Sequence, residues 1–195
     1  MERINGKPTL IISYYFPPDN KTGGRRWAKF FKYLIRNNID AYVLTLESKN
    51  KTGLWYSDIK NLEDRVIRIK IKKTPFFKMP ISSQKITYKI KFKISYFLHQ
   101  FLVFFTDSNS FNICRPYKKS ILYNAEKIIR EKKIENIITT GSPFEILYFG
   151  SILKKKFPRI KLITDYRDFW FGGLVYNNLN FFGKLFYLRK EKKVI

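Results

Sequence analysis

Short apolar runs alternate along the chain with stretches in which apolar residues recur every three or four positions. The apolar, β-prone runs predict strands at residues 9–16, 41–46, 65–71, 137–140 and 160–164. The helical spacing predicts helices at residues 25–36, 117–132, 144–157 and from 181 onward. This order of elements is typical of a doubly wound, Rossmann-like parallel sheet in a single α/β domain, with its first and fifth strands buried.

Composition limits the chemistry that the chain can perform. Its 195 residues, 45% of them apolar, suffice for one packed core. Cys114 is the only cysteine and His99 the only histidine, so the sequence predicts neither a disulfide nor a Cys/His metal cluster, and we interpret both residues as structural. The polar start and the short apolar run after it fit neither a signal peptide nor a membrane span, so we expect a cytoplasmic location.

The charge balance is strongly basic. Lys and Arg number 39 against 15 Asp and Glu, a net charge of +24. Such a field attracts polyanions: nucleic acid, anionic lipid or phosphorylated small molecules. A genome with AT-rich codons is an alternative cause of the average charge, although it does not explain why the charges cluster.

Three loops follow predicted strands at the edge where doubly wound sheets bind ligands. In the first, Gly23 and Gly24 let a ligand approach the backbone, the next helix presents its positive end, and Arg25 and Arg26 add cations suited to phosphate. An ordinary turn with surface arginines is the alternative interpretation.

The second loop covers residues 139–145. Gly141 breaks the strand, and Ser142, Pro143 and Glu145 fit a capped helix start in which proline occupies the first helical position. This helix start again points toward the cleft, although good capping alone also explains the pattern.

The third loop, DYRDFW at residues 165–170, places two carboxylates around an arginine. Asp165 and Asp168 are spaced so that both can share Arg167, and a carboxylate in a cleft can orient and deprotonate an acceptor hydroxyl. The alternative is an internal salt bridge that shapes the loop. Trp170 either stacks on a sugar face or belongs to the core.

Together these segments resemble the N-terminal domain of family 4 glycosyltransferases, which are retaining enzymes of the GT-B fold. The similar stretches are LIISYYFPPDNKTGGRRWAKFFKYL, IITTGSPFEILYFGSILKKK and ITDYRDFW, the last matching the family's D-x-R-D-x-W segment. Their order and spacing agree over about residues 9–191.

The resemblance implies two Rossmann-like domains facing across a cleft, with the acceptor held mainly by the N-terminal one. It implies that Gly23 and Gly24 lie near the phosphates or sugar of the donor, and that Asp168 lines the acceptor side, where its carboxylate makes it the predicted catalytic residue. It implies acceptor contacts for Arg26, Ser142 and Arg167, and Trp170, as a ring able to stack on a sugar face, is a further predicted acceptor contact. It also implies a nucleotide-sugar as co-substrate, with no further cofactor and no metal.

One departure from the family concerns the C-terminal donor domain, which carries the paired glutamates and most nucleotide contacts. Residues 1–195 contain no counterpart of it, and the predicted last helix runs to the final residue. The sequence therefore predicts a single acceptor-binding domain that is a fragment, a truncated product or half of a split enzyme.

The chain also contains a basic and aromatic insert at about residues 72–116. Residues 65–106 contain ten Lys or Arg and no Asp or Glu, and they lead into the apolar stretch ISYFLHQFLVFF. We interpret the insert as docking on the anionic inner face of the membrane, where its lysines contact lipid: Lys85, Lys89, Lys91 and Lys93. The alternative is a helix that packs on the sheet with its lysines in solvent.

The sequence thus predicts a transferase that moves sugar to a glycan or lipid-linked acceptor in surface polysaccharide or lipopolysaccharide synthesis, at the inner membrane face. The alternative is a binding-only module that holds the acceptor or pairs with a separate donor domain. Nucleic acid is not an expected partner, because no recognition helix, RNP motif or zinc pattern occurs in the sequence.

Overall fold

The computed structural model describes residues 6–70, 114–141, 143–167 and 181–194. Five parallel strands form one sheet in the order β3-β2-β1-β4-β5, which confirms the predicted Rossmann-like α/β architecture. The strands are β1 (Thr9–Ser13), β2 (Ala41–Leu46), β3 (Val66–Ile69), β4 (Asn136–Thr140) and β5 (Lys161–Asp165). The helices are α1 (Thr22–Arg36), α2 (Lys118–Glu131), α3 (Glu145–Lys156) and α4 (Phe181–Glu191). Two short 3₁₀ turns, Tyr56–Asp58 and Lys60–Arg65, connect β2 to β3.

The sheet separates two apolar cores. On one face Ile11 of β1 packs with Phe31 of α1 and with Ile59 from the 3₁₀ segment. On the other face Leu10 and Ile12 pack against α2 and α3. Every residue of β1 is buried, as its continuous apolar pattern predicts.

Helix α1 begins at Thr22, not at Arg25, so Gly23 and Gly24 lie in its first turn. The Gly24 N–H donates to the Lys21 carbonyl oxygen at 2.9 Å, and the Lys21 N–H donates to Asp19 Oδ1 at 3.1 Å. The prediction was wrong because it treated the glycines as helix breakers. Glycine can adopt helical φ and ψ, and the contacts of this first turn hold both residues in that conformation.

Three other predicted boundaries are corrected. Helix α3 begins at Glu145 after Phe144, with no side-chain cap bond, so Pro143 precedes the helix and is not its first residue. The Ile146 N–H donates to the Pro143 carbonyl oxygen at 3.3 Å, a tighter turn than the α-helix that the capping pattern predicts. Strand β1 ends at Ser13, where its pairing with Thr140 of β4 ends. Helix α4 ends at Glu191 and a turn follows it.

Strand β5 is half exposed, so the prediction of a buried fifth strand is wrong. Within the described ranges it pairs only with β4, and Lys161 and Ile163 on its α1 side are exposed. An open groove of about 470 Å³ lies there between α1 and the amino ends of β4 and β5. Leu34, Ile39, Ile138 and Ile163 form its apolar lining.

Several sequence predictions fall outside the described residues. They are nearly all of the basic insert with Lys85, Lys89, Lys91, Lys93 and His99, together with Ser142, Asp168 and Trp170.

Cys114 is described and is fully buried. Burial, with the nearby charge of Glu145, raises the pKa of its thiol well above the ordinary value, which fits a structural thiol. In the described part of the chain, no helix has the length and apolar character needed to cross a membrane.

Candidate functional site

The carboxylate of Asp165, at the carboxyl end of β5, joins three elements. Its Oδ2 accepts a hydrogen bond from Trp27 Nε1 at 2.8 Å and one from Thr140 Oγ1 at 2.9 Å. The guanidinium of Arg26 forms an ion pair with the same oxygen. Thr140 lies directly opposite Asp165 in the β4–β5 register, whereas Arg26 and Trp27 reach it from α1.

This arrangement corrects the predicted sharing of Arg167 by Asp165. The cation paired with Asp165 is Arg26, because the first turns of α1 lie close to the end of β5. The Asp165 side chain is only 20% exposed, and its Oδ2 is surrounded by donors. Asp165 therefore positions Arg26 and Trp27, and this role supports the structural alternative for that residue.

Gly23 and Arg167 meet at the same edge. The Arg167 guanidinium lies so close to Gly23 that a Cβ atom at residue 23 would overlap its Nη1. The absence of a side chain at Gly23 thus makes room for this cation. The structure brings these two predicted site residues together, one from the loop after β1 and one from the loop after β5.

Gly24 has a different neighbour. It is buried, and a Cβ there would lie 3.1 Å from both the Phe16 Cα and the Tyr15 carbonyl oxygen. Gly24 therefore allows α1 to pack closely on the chain that leaves β1. At both glycines, another part of this chain occupies the space that a side chain would fill. The motif alone did not reveal these neighbours.

Positive charge predominates around the first turn of α1. Four cations lie on or beside it, namely Lys21, Arg25, Arg26 and Arg167, and the helix adds the positive end of its dipole. Two carboxylates accompany them, Asp165 and Asp19. An excess of donors over acceptors at a helix start suits an anion such as phosphate.

Two tyrosines follow β1 at this edge. The rings of Tyr14 and Tyr15 are 4.8 Å apart in an edge-to-face contact, and the ring of Tyr117 lies 6.4 Å from that of Tyr14. Burial raises the pKa of Tyr14 and Tyr15, so both phenols remain protonated near neutral pH. Sequence reasoning assigned both tyrosines to the first strand.

Sequence reasoning also missed the roles of Trp27 and Thr140. Trp27 matched the apolar stripe of α1, and it is indeed buried, yet its indole N–H bonds to Asp165. The contact of Thr140 with Asp165 could have been predicted from the sequence, since residues that end adjacent parallel strands lie side by side.

In the described ranges, no group of three or more His, Cys, Asp and Glu side chains is placed to hold a metal ion.

The chain matches no known protein-family model, and no curated protein matches it.

Proposed function

We propose that the chain is the acceptor-binding portion of a family 4 glycosyltransferase of the GT-B fold. In this proposal it serves the transfer of a sugar from a nucleotide-sugar to a glycan or lipid-linked acceptor in surface polysaccharide or lipopolysaccharide synthesis. The observation that carries the proposal is the contact between Gly23 and Arg167. Gly23 is the donor-proximal residue by resemblance and Arg167 an acceptor-side residue. Sugar transfer requires donor and acceptor atoms to approach to about 3 Å, so residues serving the two substrates must be neighbours.

The charges at this edge suit the chemistry of the reaction. When the sugar leaves a nucleotide-sugar, negative charge develops on the departing diphosphate. Fixed cations and the N–H groups of a helix start stabilise such a charge without reorganising during the reaction. In this proposal the first turn of α1 lies beside the diphosphate, and Arg26, fixed by Asp165, orients the acceptor. Arg167 is an acceptor-side residue that also contacts the diphosphate, because its guanidinium lies against Gly23 in that first turn.

Asp168 is the proposed base that accepts the proton of the acceptor hydroxyl. It lies outside the described residues, three positions after Asp165. The described neighbour supports this division of roles, because three donors fix Asp165 through its Oδ2 and its side chain is only 20% exposed, which suits a positioning residue. Ser142 remains a proposed acceptor contact on the resemblance, and Trp170 remains one because its ring can stack on a sugar face.

The proposal also locates the chain at the inner face of the membrane, through the basic insert with Lys85, Lys89, Lys91 and Lys93. Co-sedimentation with vesicles of phosphatidylcholine, with and without phosphatidylglycerol, tests this part. We expect binding to require the anionic lipid and to weaken as salt is raised. Equal binding to both vesicle types would remove the electrostatic part of the proposal.

Calorimetric titration with inorganic pyrophosphate and with UDP tests the anion site directly. We expect Arg167→Gln to weaken binding at least about fivefold, since it removes one charge-assisted contact. The matched control is Arg159→Gln, because Arg159 is exposed near the amino ends of the strands. Equal losses in both variants would mean that only the overall charge of +24 attracts the anion.

Turnover separates the transferase from the binding-only alternative. Release of nucleotide from a panel of nucleotide-sugars is measured with a lipid-linked glycan extract, for this chain and for the complete gene product. Asp168→Ala in the complete product should lower kcat more than it raises the KM for the acceptor. Site-specific binding without turnover by either protein would support the binding-only module, and unchanged turnover in Asp168→Ala would make Asp168 structural.

A further inference from the structure

The loop that follows β2, residues 47–55, presents an apolar side chain to solvent at its tip. We call it the Leu54 loop. Leu54 is 77% exposed, the most exposed large apolar side chain among the described residues. A single exposed leucine is ordinary on a protein surface. Its significance here depends on how the loop is held and on what surrounds it.

The Leu54 loop is fastened to the chain that leaves β1. The Leu54 N–H donates to Asn20 Oδ1 at 2.9 Å, and the Tyr56 N–H donates to the Gly53 carbonyl oxygen at 3.1 Å. Gly53 packs against the Pro18 carbonyl oxygen, where a Cβ atom would not fit. The backbone therefore holds Leu54 outward, so its exposure is a property of the loop geometry.

Cations and an indole lie next to this tip. Trp55 is half-buried, and the Arg25 guanidinium lies 5.5 Å from its ring centroid. Lys49 and Lys51 are exposed on the same loop. Glu47 is the only acidic residue in the loop, so cations predominate.

We infer that the Leu54 loop docks on an anionic lipid bilayer. Leu54 enters the boundary between headgroups and acyl chains, Trp55 lies at the headgroup level, and Lys49 and Lys51 contact lipid phosphates. An apolar tip, an interfacial indole and flanking cations are the chemistry of a peripheral membrane contact. The inference deepens the proposed function, because it identifies the surface that brings a lipid-linked acceptor to the carboxyl edge of the sheet.

Two observations favour a bilayer over another occupant. The first is charge, since a second copy of this chain also carries +24 and is repelled. The second is position. Strand β3 pairs with β2 and ends at Ile69, on the flank that carries the Leu54 loop, and residues 71–113 come next in the sequence. Those residues contain seven lysines and one aspartate, the same sign of charge as the loop.

The test uses the whole chain with vesicles of phosphatidylcholine and phosphatidylglycerol. Leu54→Ser should lower the partition coefficient about tenfold, because a buried leucine accounts for about that factor. Tyr123→Ser is the matched control, since Tyr123 is 70% exposed on α2, and its partition should equal that of the wild type. Circular dichroism checks that both variants keep the fold.

Fluorescence gives a second, independent readout. Brominated lipids should quench the wild-type tryptophan emission, and Trp55→Phe should lose most of that quenching. Quenching that persists in Trp55→Phe, or equal partition of Leu54→Ser and the wild type, would overturn the inference. Pyrophosphate titration of Leu54→Ser should match the wild type. If neither protein binds pyrophosphate, the result counts against the proposed function. The vesicle partition separately tests whether the Leu54 loop docks on lipid.

Discussion

At the scale of single residues, Gly23 and Gly24 show what a motif can and cannot reveal. Their pairing in the sequence predicts a close approach of something to the backbone, and the structure identifies that neighbour separately for each. Gly23 faces the guanidinium of Arg167, and Gly24 faces the backbone at Phe16. No local pattern connects Gly23 with Arg167, because their proximity depends on the order of strands in the sheet.

The two glycines should respond differently to alanine. In Gly23→Ala the new methyl group meets the flexible end of Arg167, so the guanidinium moves and stability changes by less than about 0.5 kcal/mol. In Gly24→Ala it meets backbone at 3.1 Å, which should cost about 1–2 kcal/mol. Urea denaturation measures both. Pyrophosphate binding should weaken in Gly23→Ala, and equal destabilisation of the two variants would contradict this account.

Asp165 should contribute to stability through its donors. Asp165→Asn keeps the shape but leaves Arg26 without its anion, which should lower the free energy of unfolding by about 1–2 kcal/mol. Glu135→Gln is the control, because the Lys7–Glu135 pair is mostly exposed and should contribute less than about 0.5 kcal/mol. If chemical denaturation shows that both variants lose the same free energy of unfolding, the contacts of Asp165 contribute no more to stability than an exposed ion pair.

At the scale of elements, helix α1 is attached on two sides. Arg26 and Trp27 bind the end of β5, whereas Lys29 and Lys32 bind Asp58 of the 3₁₀ segment at 3.0 and 2.8 Å. The apolar stripe of the sequence predicted that α1 exists and which face it buries. It could not predict these polar attachments, because each joins residues far apart in the chain.

Periodicity predicted the regular parts of the elements better than their ends. The bounds of β2 agree with the predicted strand, since the apolar run stops where pairing with its neighbours stops. The starts of α1 and α3 were wrong, because they depend on backbone turns at Lys21 and Pro143. Of the candidate site, the convergence of the loops followed from the fold class, whereas the partner of Asp165 required the structure.

The attachment through Asp58 should make stability depend on pH. Hydrogen bonds from Lys32 and Lys29 lower the pKa of Asp58 below its ordinary value of 3.8 in the folded chain. This contribution is therefore complete above about pH 4 and is lost as pH falls through the lower, folded pKa. Asp58→Asn should be about 1 kcal/mol less stable at pH 7, with the difference shrinking toward pH 2. Urea denaturation across this range measures it, and a constant difference would exclude the linkage.

At the scale of the whole molecule, the predicted sheet formed, but its central strand and its β5 edge differ in burial. The fold class required parallel strands covered on both faces, and β1 meets that requirement. Strand β5 does not, since Ile163 is 42% exposed and opens onto the groove beside α1. The apolar pattern of residues 160–164 could not reveal this, because burial depends on which neighbours a strand acquires.

The half-exposed β5 has a consequence for the motions of the site, because this strand also carries Asp165. Amide protons exchange with solvent where short segments open transiently, and a strand with one described partner opens more readily than a central strand. Amides of β5 should therefore exchange at least about tenfold faster than those of β1, as hydrogen–deuterium exchange can measure. Equal protection would exclude such separate opening. Each opening disperses the donors around Asp165, so pyrophosphate bound beside Arg167 should slow exchange in β5 first, before any change in the central strands.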